Sequence, residues 1–87
     1  MSGYVYLGGD AAIERDRIVG IFDLDNTSWS YLTRNFLSRA EQDGNVKNAA
    51  EDLPRSFVLC TDDTVILTQP STATLVKRME NQEKFNG

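Results

Sequence analysis

With one cysteine, Cys60, and no histidine, this 87-residue chain has neither a disulfide nor a zinc site with which to staple itself together. An intramolecular disulfide needs a second thiol, and structural zinc is held by cysteine and histidine. Size scaling lets a domain this small bury roughly 60–65% of its unfolded surface, near the limit at which one core suffices. The expectation is a single core, no metal, no other cofactor, and a benefit from self-association.

Charge narrows the partners. Nine basic against thirteen acidic residues leave a net charge of −4. Such a chain repels phosphate backbones on average, so nucleic-acid contact would require cations segregated onto one face. The opening MSGYVYLGGD lacks a basic stretch followed by an apolar one, and no apolar run approaches the ~20 residues needed to cross a bilayer. These features predict a cytoplasmic protein with no membrane partner.

Along the chain, Gly3–Leu7 mixes aromatic and β-branched residues, and Gly8, Gly9 and Asp10 signal a turn before Ala11–Glu14. Ile18–Leu24 is too short and too β-branched for a helix and predicts a strand. Asp25, Asn26, Thr27 and Ser28 are capping residues for a helix running to about Asp43, with Trp29, Leu32, Phe36, Leu37 and Ala40 on one stripe and Gly44 as its stop. Val46–Ala50 is a short strand or a loop, and Pro54 forbids a central strand around itself. Ser56–Thr61 and Thr64–Thr68 predict a hairpin with Asp62 and Asp63 at the tip. Pro70, Ser71 and Thr72 open a short helix to about Met79, docked through Leu75, Val76 and Met79. The expected architecture is α+β: one domain over residues 1–79 with a mainly antiparallel sheet, a longer central helix and a short C-terminal helix, followed by a flexible tail at 80–87.

Ile21–Thr27, IFDLDNT, resembles the first motif of the haloacid dehalogenase superfamily, a strand ending in DxDxT. That resemblance implies Asp23 as a phosphoryl-accepting nucleophile, Asp25 as general acid/base and Thr27 as a phosphate ligand, beside Mg²⁺. The chemistry also needs a lysine and further acidic ligands from a large doubly wound sheet, for which only Asp62 and Asp63 are on offer. Helix capping by Asp25–Ser28 is the reading preferred here, and no catalytic role is assigned.

Gly8, Gly9 and Asp10 lack the longer spacing of a phosphate loop and read as a turn. Cys60 alternates with Phe57 and Leu59 on an apolar strand and reads as a buried, inert thiol. Arg15, Arg17, Arg34, Arg39, Arg55, Lys77 and Arg78 form no contiguous basic patch, and Trp29, Tyr4 and Tyr6 read as core or interface aromatics.

Taken in order, YVYLGGDAAIERDRIVGIFDLD, TRNFLSRAEQDG and LPRSFVLCTDDTVILTQPSTATLVKR carry a glycine turn, an arginine ahead of IVGIFDLD, a helix ending at Gly44, a PRSF lead into a hairpin and a final SxxTLxKR. Over residues 4–78 the chain resembles the small bacterial extracellular matrix regulators of the RemA/RemB group, closer to its RemB side. The resemblance implies a LytTR-like α+β fold, control of biofilm matrix genes, and ring-shaped homo-oligomers that present arginines to double-stranded DNA. Arg17 matches the DNA-contacting arginine ahead of the strand, and Arg55 falls in the loop where the RemA side carries adjacent arginines. Leu53 and Pro54 occupy that loop here and leave one basic residue, so the alternative is an interaction module that modulates a paralogous regulator without touching DNA.

Overall fold

The computed structural model of the protein describes residues 3–9, 11–24 and 31–85. Asp10, the capping run Asp25–Ser28 and Trp29 therefore lie outside the described residues. The elements run β1 (Tyr4–Gly8), β2 (Ala11–Glu14), a single 3-10 turn (Arg15–Arg17), β3 (Ile18–Asp23), α1 (Tyr31–Gln42), β4 (Val46–Asn48), β5 (Ser56–Cys60), β6 (Val65–Thr68) and α2 (Thr72–Phe85). The class is α+β, as expected.

Strands β1 and β2 form a two-stranded antiparallel sheet, and the other four form a second sheet in the order β3-β5-β6-β4. Alternation along β5 explains the layering. Val58 and Cys60 face the β1–β2 hairpin and α2 and share a core with Val5, Leu7, Ile13 and Leu75. Phe57 faces the other way, toward α1, with Ala40 and Val65. Side chains on a strand alternate between faces, so one short apolar run can supply two cores. Burying a side chain such as Leu75 or Val58 contributes about 1.5–3 kcal/mol.

Helix α1 stops at a Schellman motif, in which the Asn45 N–H donates to Ala40 O (2.9 Å) and the Gly44 N–H to Glu41 O (3.1 Å). Gly44 holds φ +75, a conformation that a Cβ would strain. On β3, the register slips between Ile18 and Gly20, and the Phe22 ring folds back over Gly20 so closely that a Cβ there would lie 2.9 Å from it. That approach lets Phe22 stack on Phe57 at 4.9 Å between ring centroids.

The structure differs from the sequence-based expectations in several places. Strand β4 forms, and it pairs parallel to β6 (Val46↔Val65 to Asn48↔Leu67), although short turns argued for antiparallel pairs. The antiparallel β5 lies between the two in sequence and supplies the length that a parallel connection requires. Helix α2 continues past Met79 to Phe85, so residues 80–85 are helix rather than tail. Leu75 is buried as expected, but Val76 points outward at 42% exposure. Tyr4 and Tyr6 stand on the exposed face of β1, at 56% and 50%, and are not core.

Two polar details hold the sheet's end and its tip. Ser56 and Thr68, both fully buried, lie hydroxyl to hydroxyl at 2.7 Å; Ser56 Oγ donates to Pro70 O at 2.6 Å and Thr68 Oγ1 to Ser56 O at 3.0 Å. At the tip, the Asp63 N–H donates to Cys60 O (3.0 Å) and Asp63 takes φ 69, a three-residue loop closed by a left-handed residue.

Ser56→Ala is expected to cost about 1–3 kcal/mol, because the part-buried Pro70 carbonyl loses its donor, and Thr68→Val about 1 kcal/mol or less, since the Ser56–Pro70 bond survives. Urea midpoints in that order check this, and the reverse order contradicts it. Asp63→Gly is expected to stabilise by about 0.5–1 kcal/mol, since glycine relieves the left-handed strain at some entropic cost. A lowered melting temperature would count against that loop geometry.

Candidate nucleic-acid interface

The two arginines expected to meet DNA lie at opposite ends of one ladder. Strand β3 runs antiparallel to β5, with Ile18 opposite Cys60 and Asp23 opposite Ser56. Arg17 precedes β3, and its carbonyl accepts from the Thr61 N–H (2.8 Å) just beyond β5. Arg55 precedes β5, donating its N–H to Thr68 O and accepting from the Leu24 N–H, both at 2.9 Å. From Arg55 to Thr61 the backbone spans roughly 20 Å at about 3.3 Å per residue. One chain does not bring the two into a single patch.

Arg17 also carries a counter-charge. Its Nη2 donates to Asp62 Oδ2 at 2.7 Å, with the two side chains 45% and 51% exposed. Hydrogen bonds from the Thr64 hydroxyl and amide, joined by the Arg17 guanidinium, hold the Asp62 carboxyl below its ordinary value. Half-exposed pairs of this kind contribute little to stability, but a phosphate reaching Arg17 must compete with a carboxylate already in place.

Arg55 stands at the other end of the ladder. It lines a hollow of about 360 Å³ with Arg78, Glu51, Gln69, Ser71 and Thr74. This hollow adjoins a wider, open one of about 870 Å³ that carries Lys47, Asn48 and Tyr6 and shares Gly9, Ala49 and Glu51 with it. Among the described lining residues the joined groove has three cations, Lys47, Arg55 and Arg78, against one carboxylate, Glu51. A chain of net charge −4 thus concentrates positive charge along one depression.

Each wall is fixed by local chemistry. Arg78 Nη1 donates to Tyr6 O at 2.9 Å, and its guanidinium lies 5.3 Å from the Tyr6 ring centroid, a cation–π contact that holds the long side chain against the hairpin. The Tyr6 hydroxyl in turn donates to Gly9 O and ties down the hairpin turn. Gln69 Oε1 accepts the N–H groups of Glu51 and Asp52 at 3.1 and 3.2 Å, shaping the loop that carries Glu51 beside the groove. Ser71 caps α2, accepting the Thr74 N–H at 3.3 Å, and the start of the helix adds a partial positive charge to the depression.

The remaining candidates do not assemble. Asp23 is exposed at the far end of β3, while Asp25 and Thr27 lie outside the described residues. Asp62 and Asp63 follow the other end of the β3–β5 ladder, away from Asp23, so these acidic residues do not converge as a phosphatase site would need. Among the described residues no group of three or more acidic or cysteine side chains is placed to hold a metal ion. Burial pushes the Cys60 thiol up, with the Asp62 charge adding to the effect, so the sulfur stays protonated and out of reach. No described helix is long and apolar enough to cross a membrane.

Sequence reasoning missed Lys47 and grouped Arg78 with scattered surface charges. No linear signal joins β4, the Arg55 loop and α2. Scans of the chain against protein-family models and against curated proteins give no match.

The lowered carboxyl of Asp62 carries a sign. A depressed carboxylate stabilises the fold fully above its unfolded value, and that contribution is lost as pH falls through the folded value. Against Asp62→Asn, the wild-type stability advantage is therefore expected to be complete above about pH 5 and to vanish in stronger acid. Urea unfolding of both proteins across that range checks it; an advantage independent of pH contradicts the lowered carboxyl.

Proposed function

We propose that the chain is a non-catalytic, homo-oligomeric regulator that associates with double-stranded DNA through the groove of Lys47, Arg55 and Arg78. One observation carries this reading: in an acidic chain, and among the described residues, Lys47, Arg55 and Arg78 from β4, the Arg55 loop and α2 line two adjoining hollows that hold one carboxylate, Glu51. Guanidinium groups beside a capped helix start suit phosphate oxygens, which accept hydrogen bonds and carry charge. The resemblance to the RemA/RemB matrix regulators points the same way, toward transcriptional control in a bacterial cytoplasm. Repetition of the groove around an assembly, in that group's manner a ring, would multiply contacts that are weak singly.

Residue roles differ from those that the resemblance alone implies. Arg55 is central, with Lys47 and Arg78 beside it. Arg17 contributes only where a phosphate displaces Asp62. The second reading, an interaction module that acts on a paralogous regulator, is favoured by the net charge of −4 and by Leu53 and Pro54 in place of a basic pair.

Duplex affinity measured across a salt series separates these roles. Arg55→Ala and Arg78→Ala are each expected to lower affinity and to reduce the log–log salt slope by about 1, with Arg17→Ala nearly silent. Absence of DNA binding at low salt would leave the interaction module as the reading. Loss confined to Arg17→Ala would move the interface to the other end of β5.

A further inference from the structure

Among the described residues Leu53 is the most exposed large hydrophobic side chain, at 79%. It stands at the rim of a second hollow, about 490 Å³, whose apolar lining includes Leu24, Leu37, Val46 and Leu67. These side chains are half-buried and pack around Phe57, Ala40 and Val65, so the hollow opens onto the α1 side of the sheet. An apolar plug thus sits beside an apolar socket on one surface.

The helix flank next to this socket has an order of its own. Arg34, Leu37, Ser38 and Glu41 all line it. Their spacing of i, i+3, i+4 and i+7 places them on one face of α1, with the positive residue about 10 Å from the negative one along the axis. The small Ser38 lies between them beside Leu37. Such a stripe is complementary to itself. When two copies cross α1 antiparallel about a point between Leu37 and Ser38, Arg34 of each meets Glu41 of the other. A two-fold arrangement requires this: one patch serving as both halves of the contact.

We propose that this face is a two-fold interface between copies of the chain. Antiparallel α1 helices form it through reciprocal Arg34–Glu41 pairs, and Leu53 of each copy enters the other's socket. A foreign apolar segment would fill the socket but has no reason to match the order of charges along the flank, whereas a second copy matches it by symmetry. The interface leaves the hairpin and α2 layer uncovered. It rests on the self-association within the proposed function, to which it adds a pairwise contact distinct from those that would close a ring, and it does not depend on DNA contact.

Light scattering on the purified full chain, across a concentration series, tests the interface. The wild type is expected as an even-numbered assembly, twice the 9.8 kDa chain mass or a multiple of it. Leu53→Asp and Arg34→Glu are each expected to halve that mass with unchanged circular dichroism, because both positions are exposed. Arg34→Glu combined with Glu41→Arg is expected to restore it, since the swap rebuilds the pairs in reverse. A wild type that stays monomeric at high concentration overturns both this interface and self-association. An assembly whose mass ignores Leu53→Asp, or a double swap that stays dissociated, overturns this interface alone and leaves self-association through another surface.

Discussion

The fold depends on one short strand being buried on both faces. Ser56, Phe57, Val58 and Cys60 are each at most 2% exposed, and β5 pairs with β3 on one side and β6 on the other. Val58 and Cys60 hold the hairpin and α2; Phe57 holds α1. Remove that double burial and the chain has three layers with nothing between them, while one cysteine and no histidine leave no disulfide or Cys/His zinc site to compensate. The same strand sets the geography of the surface, because the residues just beyond its two ends, Arg55 and Thr61, carry the loops in which charge collects.

Position then separates two arginines that look equivalent in sequence. Arg17 meets the hairpin tip, where Asp62 is held charged by Thr64 and accepts its guanidinium. Arg55 meets the start of α2 and the β4 loop, where Arg78 and Lys47 add to its charge. A net charge summed over the chain hides this division, since the potential at a phosphate depends on charges within about a Debye length, roughly 8–10 Å. Tyr6 has a part here that its exposure conceals: its ring and carbonyl hold Arg78, and its hydroxyl holds the hairpin turn that walls the groove.

Much of the fold was legible in the chain because local chemistry decided it. The β-branched run at Ile18, the glycine stop at Gly44, the acidic tip at Asp62–Asp63 and the Ser71 cap each act within a few residues, and each lies where its pattern predicts. The parallel pairing of β4 was not legible, since Val46–Asn48 carries no turn signal and gains its place from contact with β6. Nor was the outward turn of Val76, which depends on the angle at which α2 docks. The groove was the least legible. Lys47, Arg55 and Arg78 are separated in sequence and line adjoining hollows only because β4 flanks β6 and α2 returns across the hairpin. Helix capping by Asp25–Ser28 belongs to residues outside those described.

Amide chemical shifts of the isotopically labelled chain, followed while short duplex DNA is added at low salt, give the most direct measurement of where a polyanion sits. Contact through the groove is expected to move the signals of Gly9, Lys47–Glu51, Arg55, Gln69 and Ser71–Thr74, with those of Arg17, Thr61 and Asp62 still. Shifts concentrated at Arg17 and the hairpin tip, or no shifts at any DNA concentration, would contradict it.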